Sequence, residues 1–332
     1  MRLLVTGGAG FIGSNFIRYV LDQTSDVQVT NLDALTYAGN LASLADLHDD
    51  PRYGFVQGDI RDVALVDRLA GESDAVVNFA AESHVDRSID GPRRFLDTNV
   101  VGAGVVFDAC RRSGVERLLH ISTDEVYGSV PEPGSFVEGD PLEPNSPYSA
   151  SKAGADLLAR SYGTTFDYPI LVTRTANNFG PYHYPEKVIP LFVTNLIDGR
   201  KVPLYGDGSN VRDWTYVVDN AAAQWLVLTE GEPGEVYNVG AANEMSNREL
   251  TFAILDRFGL GEEMIEFVAD RPGHDLRYSV DTTKVRSLGW VPAHDFEEAL
   301  DATIDWYRRN EDWWRPLKET GASARRGAAD RR

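Results

Sequence analysis

Cysteine is nearly absent from this chain, because Cys110 is the only one among 332 residues. A single thiol excludes an intrachain disulfide framework and is typical of proteins in a reducing compartment, so we expect a cytoplasmic location. The six histidines are scattered through the sequence and are not spaced like zinc ligands. We therefore expect no metal site.

Positive charge and long apolar runs are also scarce. Lys and Arg together number 32 against 51 Asp and Glu, which leaves a formal net charge of −19. A field of this sign repels phosphate backbones, so we expect no nucleic-acid partner. No apolar run reaches the ~18 residues that a membrane-spanning helix needs, and Gly7 and Gly8 interrupt the apolar start where a secretory signal would continue. We expect neither membrane insertion nor a signal peptide.

The chain does contain a regular alternation of short β-branched runs and amphipathic helical patterns. The predicted strands are 2–6, 27–32, 53–57, 74–79, 117–122 and 169–174. The predicted helices between them are 13–22, 62–70, 92–113 and 147–166. Alternation with short links indicates a parallel sheet covered on both faces. The predicted fold is therefore α/β, a Rossmann-like doubly wound parallel sheet with a smaller mixed α/β substrate-binding lobe.

The alternation loosens after about residue 176, where Pro and Gly become frequent, and this indicates the smaller lobe. A helix at 218–229 and a strand at 235–240 are expected to return to the sheet, and further helices are predicted at 246–258 and 295–309. We assign 1–175, with returning segments about 211–240, to the Rossmann domain, and 176–210 with 241–320 to the substrate-binding lobe. The tail 321–332 has no apolar period and is expected to be disordered.

Two features predict a dinucleotide site in the first domain. The stretch "VTGGAGFIGSN" places Gly7, Gly10 and Gly13 between the first strand and the first helix, where glycines permit close approach of a pyrophosphate to the helix N-terminus. Asp33 ends the second strand, where a carboxylate accepts hydrogen bonds from ribose hydroxyls and repels a 2′-phosphate. The alternative for Asp33 is an ordinary turn residue. Together these features favour NAD over NADP.

Residues after the third and fourth strands are predicted to lie beside the cofactor. Asp59 and Ile60 follow the third strand and are placed to flank the adenine. Phe79, Ala80 and Ala81 follow the fourth strand, and the two alanines there are small enough for the cofactor to lie close to the chain.

Two pairs of residues carry the predicted chemistry. Tyr148 and Lys152 are four apart and share one helix face, so the ammonium is expected to lower the pKa of the phenol. The tyrosine can then take a proton from a substrate hydroxyl as hydride leaves for nicotinamide. Asp124 and Glu125 follow a buried strand directly in "LLHISTDEVYGS". Because neighbours on a strand point to opposite faces, both acids reach one ligand only if the backbone leaves strand geometry by Thr123.

The blocks "NFAAESHVDRS", "STDEVYG" and "YSASK", with the glycine motif, resemble the extended short-chain dehydrogenase/reductases that act on nucleotide sugars. Within that family "NLDALTYAGN", "NNFGPYHYPEKVIPLFV" and "VADRPGHDLRYSVD" resemble the dTDP-glucose 4,6-dehydratases, over roughly residues 1–310. The resemblance implies NAD-dependent dehydration of dTDP-glucose to dTDP-4-keto-6-deoxyglucose, feeding deoxysugar synthesis (rhamnose among others). It makes Tyr148 the base at the C4 hydroxyl, Glu125 the base at C5 and Asp124 the acid at C6. Thr123 would hydrogen-bond the reacting oxygen.

The resemblance also implies a fuller set of binding residues and a homodimer formed through the helices at 92–113 and 147–162. The implied cofactor-binding residues are Gly7, Gly10, Phe11, Ile12, Gly13, Asp33, Leu35, Thr36, Asp59, Ile60, Phe79, Ala80, Ala81, Ser83, Thr98, Tyr148, Lys152 and Asn178. The implied substrate-binding residues are Ser83, Thr123, Asn177, Lys187, Val188, Pro203, Tyr205, Arg212, Asn247, Arg271, His274 and Tyr278.

A diphosphate in so acidic a protein requires local cations, and Lys187, Arg212, Arg271 and Arg277 are available in the second half. Arg212 is the preferred candidate, because a planar guanidinium binds phosphate oxygens in pairs. The alternative for Arg212 is a surface ion pair with Asp213.

Three rival functions stay open. A UDP-sugar 4-epimerase or UDP-glucuronate decarboxylase shares the Tyr148 and Lys152 chemistry but has no use for both Asp124 and Glu125. A 4,6-dehydratase acting on UDP-glucose differs only in the base, because thymine and uracil differ by one methyl group. A non-catalytic NAD-sensing scaffold would have no need of any of these four side chains.

Overall fold

The computed structural model describes the backbone of residues 1–329 and the side chains of residues 1–320. Its centre is a seven-stranded sheet in the order β10-β6-β5-β4-β1-β2-β3, in which every neighbouring pair is parallel. The strands are β1 (Arg2–Thr6), β2 (Gln28–Asp33), β3 (Tyr53–Gln57), β4 (Ala75–Asn78), β5 (Arg117–Thr123), β6 (Leu171–Thr175) and β10 (Val236–Val239). The predicted doubly wound parallel sheet is confirmed, and each predicted strand lies within two residues of an observed one.

Helices cover both faces of this sheet. They are α1 (Phe11–Gln23), α2 (Val63–Gly71), α3 (Val85–Asp90), α4 (Pro92–Phe95), α5 (Ala103–Ser113), α6 (Pro147–Phe166) and α8 (Val217–Glu230). Two separate apolar clusters result, one on each face, because β-branched side chains of a buried parallel strand point alternately to the two sides. Short 3₁₀ helices lie at Leu41–Leu47, Asp124–Tyr127 and Glu262–Met264.

The helix predicted at 92–113 is interrupted. Between α4 and α5 the residues Leu96–Gly102 form a π-helix, in which the extra residue per turn changes the direction of the side chains. Asn99 lies in this turn, where its side chain accepts a hydrogen bond from Glu82 N (2.8 Å) and donates to Glu82 O (2.9 Å). Asn99 of the π-helix therefore fixes the backbone at Glu82, in the segment that follows β4.

The smaller lobe contains two further sheets. One has the order β11-β9-β7 and the other pairs β12 with β8. Its elements are β7 (Asn177–Phe179), α7 (Val188–Ile197), β8 (Val202–Tyr205), β9 (Val211–Tyr216), β11 (Glu244–Ser246), α9 (Asn247–Asp256), β12 (Ile265–Val268), α11 (Phe296–Arg309) and α12 (Glu311–Ala329). Helix α10 (Thr283–Ser287) instead packs against β10 of the large sheet. A third apolar cluster holds this lobe together.

Two predicted boundaries differ from the structure. The chain returns to the large sheet from Val217 onward and not from 211, because β9 pairs with β7 and β11 in the smaller lobe. The last helix continues to Ala329 through most of the tail for which we predicted disorder, a segment rich in the helix formers Ala and Arg. Residues 330–332 lie outside the described residues. None of the helices within residues 1–329 is long and apolar enough to cross a bilayer.

Candidate active site

A cleft of about 540 Å³ opens at the carboxyl ends of the parallel strands, the position at which open α/β sheets bind ligands. All five predicted catalytic residues line it: Thr123, Asp124, Glu125, Tyr148 and Lys152. Every predicted cofactor-binding residue except Leu35 lines it as well. Of the predicted substrate-binding residues it includes Ser83, Thr123, Asn177, Lys187 and Val188.

The turn between β1 and α1 is shaped for a pyrophosphate. Gly7 has a φ of +71°, and a Cβ atom there would lie 2.6 Å from Ala80 N. A Cβ atom on Gly13 would lie 2.4 Å from Gly7 O, so neither position has room for a side chain. Helix α1 begins at Phe11 with no side-chain cap and no acidic residue in its first turn. Its free N–H groups and dipole therefore fit an anion.

Asp33 lies at the end of β2 with two backbone hydrogen bonds. Its Oδ2 accepts from Ala9 N (2.9 Å) and its Oδ1 accepts from Leu35 N (2.7 Å). Burial raises the pKa of this carboxyl, while the two hydrogen bonds act in the opposite direction. The remaining lone pairs are available to hydroxyl groups in the cleft, which is the geometry expected for ribose binding. Leu35 does not line the cleft. Its backbone N–H donates the hydrogen bond to Asp33.

The residues present therefore fit a dinucleotide. The glycine turn has no space for side chains, the N-terminus of α1 fits a diphosphate, and Asp33 is buried at the position for ribose hydroxyls. Asn178 closes the opposite wall, where its Nδ2 donates to Thr175 Oγ1 (3.0 Å) and Ala176 O (2.9 Å).

The two adjacent carboxylates leave strand geometry where we predicted. Strand β5 ends at Thr123, and the 3₁₀ turn Asp124–Tyr127 follows at once. The Thr123 hydroxyl accepts a hydrogen bond from Glu125 N (3.3 Å) and caps this turn. Because of the tight turn, both carboxylates line the same cleft.

The electrostatic environment separates the roles of the pair. Burial and the neighbouring charge of Glu125 raise the pKa of Asp124 well above its ordinary value. Burial also raises the pKa of Glu125, but the positive charges of Arg271, Lys187 and Arg212 oppose this. Both pKa values are therefore raised, but the three cations make Glu125 the easier of the two carboxyls to ionise, which suits an acid at Asp124 and a base at Glu125.

Tyr148 and Lys152 lie on the first turns of α6, which Ser146 and Ser149 begin with a reciprocal capping box. Lys152 Nζ donates to Ile121 O (2.5 Å), and burial lowers the pKa of its ammonium to about 8. Burial and the charge of Glu125 raise the pKa of Tyr148, while the Thr123 side chain acts against them. Burial close to these carboxylates therefore acts against the lowering of the phenol pKa that we expect from Lys152.

Seven predicted substrate-binding residues do not line the cleft: Pro203, Tyr205, Arg212, Asn247, Arg271, His274 and Tyr278. The Arg212 guanidinium is buried over the Tyr278 ring at 4.1 Å and donates to Asp275 O (2.9 Å). Asp213 instead accepts from Ala242 N (3.1 Å) and Asn243 N (2.8 Å), so the alternative of an Arg212–Asp213 surface pair is wrong.

The other cations of the second half differ in their availability. Arg277 pairs with Glu244 at 2.8 Å and is thereby occupied. Arg271 lies 3.5 Å from Asp86, and Lys187 Nζ donates to Ser83 O (3.0 Å) at the cleft wall. Arg271, Lys187 and Arg212 all act on the pKa of Glu125, so this group of charges is continuous with the cleft.

Sequence reasoning missed several residues of the cleft. Tyr37, Arg87 and Glu186 come from three distant segments: the Arg87 guanidinium lies 3.9 Å from the centre of the Tyr37 ring and 2.9 Å from a Glu186 carboxylate oxygen. Trp313 of α12 also lines the cleft, whereas its neighbour Trp314 is buried. No motif predicts such contacts, because the residues meet only in the tertiary fold.

Comparison with known proteins places these observations in a family. The family model described as GDP-mannose 4,6 dehydratase matches residues 4–303. The chain is 56% identical to the low-salt glycan biosynthesis protein Agl12 of Haloferax volcanii, over 94% of this chain and 100% of the relative. It is 54% identical to a dTDP-glucose 4,6-dehydratase of Streptomyces antibioticus, over 97% of each.

A crystal structure of the dTDP-glucose 4,6-dehydratase DesIV from Streptomyces venezuelae, described with NAD and TYD bound, superposes with a TM-score of 0.93. The two sequences are 53% identical, and the match covers 96% of this chain and 100% of that one.

Proposed function

Since the chain belongs to the dTDP-glucose 4,6-dehydratase family, we propose that it converts dTDP-glucose into dTDP-4-keto-6-deoxyglucose and water, with NAD⁺ as its cofactor. The observation that carries this proposal is the pair Asp124 and Glu125, which the turn after β5 brings into one cleft and of which Asp124 is the harder to ionise. A cytoplasmic location belongs to the proposal, supported by the single buried cysteine.

The proposed mechanism assigns the proton transfers at C4, C5 and C6 to three different side chains. Bound NAD⁺ supplies a hydride acceptor at C4 and returns the hydride to C6 at the end, so its oxidation state is unchanged over a turnover. Tyr148 removes the C4 hydroxyl proton, and the ketone formed at C4 makes the C5 proton acidic. Glu125 takes the C5 proton, and Asp124 gives its proton to the departing C6 hydroxyl, which leaves as water. Glu125 then returns a proton to C5, Tyr148 releases to solvent the proton it took from the C4 hydroxyl, and Asp124 regains a proton from solvent.

The remaining cleft residues position these groups. Lys152 binds Ile121 O at the end of β5, which ties the helix with Tyr148 to the strand that carries the two acids. The cations Arg212, Arg271 and Lys187 are proposed to bind the diphosphate, because they are the charges that act on Glu125 from the substrate side. They also lower the pKa of Glu125 against the effect of burial, so substrate binding and base strength depend on the same residues.

The product and the preferred nucleotide test this function. With dTDP-glucose we expect a 4-keto-6-deoxy sugar, which is detected by its ultraviolet absorption in alkali, whereas an epimer has none. With UDP-glucose we expect the same product at a kcat/KM lower by about 10–200-fold, the effect of one methyl group in an apolar pocket. An epimerised or decarboxylated product would contradict the proposal, and preference for UDP-glucose would correct the substrate.

A homodimer is also part of the proposal. Leu96 and Val101 of the π-helix and Leu157 of α6 are 51%, 57% and 57% exposed, which is high for apolar residues on adjacent helices. The face that they form would be covered by the same face of a second copy. Light scattering is expected to give twice the 36.7 kDa of one chain. Leu157→Glu is expected to lower the mass, whereas Val291→Glu, at an exposed valine on a loop, should not. A monomeric wild-type protein would contradict the dimer.

A further inference from the structure

The C-terminal helix α12 lies against the outside of the cofactor cleft. Its Trp313 and Leu317 side chains line the cleft, although this helix is far in sequence from the glycine turn. We propose that residues 311–320 of α12, fastened by Asp198, form a clasp that closes the cleft and sets how long the dinucleotide stays bound. The inference rests on the proposed function, because it concerns the same cofactor.

The inner layer of this closure is the segment 181–184, which crosses the start of α1. The His183 ring is stacked on Phe11 with their centres 4.0 Å apart and an angle of 8° between planes. Asn15 Nδ2 donates to Pro181 O at 3.0 Å. Phe11 and Asn15 lie one turn apart, so this segment packs along the first turns of the helix whose N-terminus fits the pyrophosphate.

The clasp holds this segment from the outside. The Tyr182 ring packs against Trp313 at 5.6 Å and against Trp306 at 4.6 Å. The Tyr184 hydroxyl donates to Leu317 O at 3.3 Å. The segment 181–184 is therefore enclosed between the start of α1 and α12.

Trp313 also reaches the other side of the cleft. Its Nε1 donates to Ser43 Oγ at 3.3 Å, in the 3₁₀ helix that follows the loop after Asp33. One side chain thus touches both the segment over the pyrophosphate site and the element beside the ribose site. A dinucleotide can leave on this side only if Trp313 moves.

Two ion pairs fasten the helix in this position. Asp198, at the end of α7, accepts from Arg315 Nη1 (2.8 Å) and from Lys318 Nζ (2.7 Å). These two positive charges lower the pKa of Asp198. The side chains of Lys318 and Asp198 are each only 15% exposed, so water screens this pair less than an ordinary surface pair.

The chemistry of the reaction agrees with a clasp. Hydride leaves C4 and returns to C6 within one turnover, so the enzyme does not need to exchange its cofactor between turnovers. An enzyme that must release a reduced cofactor after every cycle would be slowed by such a closure, whereas this one gains retention without loss of turnover.

The rate at which bound NAD is lost tests the clasp. Asp198→Asn removes both ion pairs and leaves the cleft lining unchanged. We expect NAD to dissociate at least tenfold faster from this variant, measured by displacement with labelled NAD and by the NAD content of the protein after desalting. The kcat at saturating NAD should stay within twofold, because Asp198 contacts none of the catalytic side chains. Trp313→Ala should also increase the dissociation rate.

The matched control is Arg309→Ala, which removes a surface ion pair with Asp305 at the end of α11. It should leave both the dissociation rate and the activity unchanged. Asp198→Asn and Trp313→Ala proteins that keep NAD as long as the wild type would overturn the clasp while leaving the proposed function intact. A wild-type protein that binds no NAD would overturn the proposed function, and the clasp with it.

Discussion

Tyr148→Phe is expected to lower the rate of C4 oxidation by about 10²–10⁴-fold, the usual contribution of a general base, and so to stop the reaction at its first step. The phenol is buried at the cleft and lies on the same face of α6 as Lys152. Phenylalanine fits the same space, so the fold and the binding of NAD should be retained. The measurement is the formation of reduced nicotinamide in a single turnover with dTDP-glucose.

The control for this variant lies on the same helix. Tyr162→Phe removes a hydroxyl whose ring packs against Phe107 and which does not line the cleft. It should have close to wild-type activity. A Tyr148→Phe protein that oxidises its substrate within a fewfold of the wild-type rate would contradict the role of Tyr148 as the base at C4.

Glu125→Gln is expected to separate the two halves of the reaction. Oxidation at C4 does not use this carboxylate, so reduced nicotinamide should accumulate to about one equivalent per active site. Elimination should fall by about 10²–10⁴-fold, because the amide cannot accept the C5 proton. Glutamine has nearly the same shape as glutamate, so the hydrogen bond from Glu125 N to Thr123 should be retained.

Asp124→Asn provides the comparison for Glu125→Gln. It also replaces one carboxyl of the buried pair with an amide and should also block loss of water, but it leaves the base at C5 in place. In deuterated water we therefore expect exchange of the C5 proton with Asp124→Asn and none with Glu125→Gln. If both variants and Tyr148→Phe stopped at the same first step, the assignment of roles to the two carboxylates would be wrong.

Much of the scaffold was predictable because it depends on local patterns. The period of apolar residues identified β1 to β6 to within two residues, and the glycine spacing located the turn into α1. Helix 92–113 was predicted as continuous because the apolar period cannot reveal the π-helix at Leu96–Gly102. That turn is set by a contact between Asn99 and Glu82, which are 17 residues apart.

The sequence by itself determined which residues stand at the carboxyl ends of the strands, namely the glycine turn, Asp33 and the adjacent Asp124 and Glu125. It also determined that Tyr148 and Lys152 lie one helical turn apart on one helix. Spacing of this kind is local, so it can be read before the chain is folded. Only the tertiary structure decided which carboxyl favours its neutral form, because the pKa of Glu125 depends on Lys187, Arg212 and Arg271, more than 60 residues away. The same is true of Trp313, which meets the cleft 270 residues after Ser43. The pKa of a carboxyl and the closing of a cleft depend on distances in space, and these distances cannot be read from the spacing of residues along the chain.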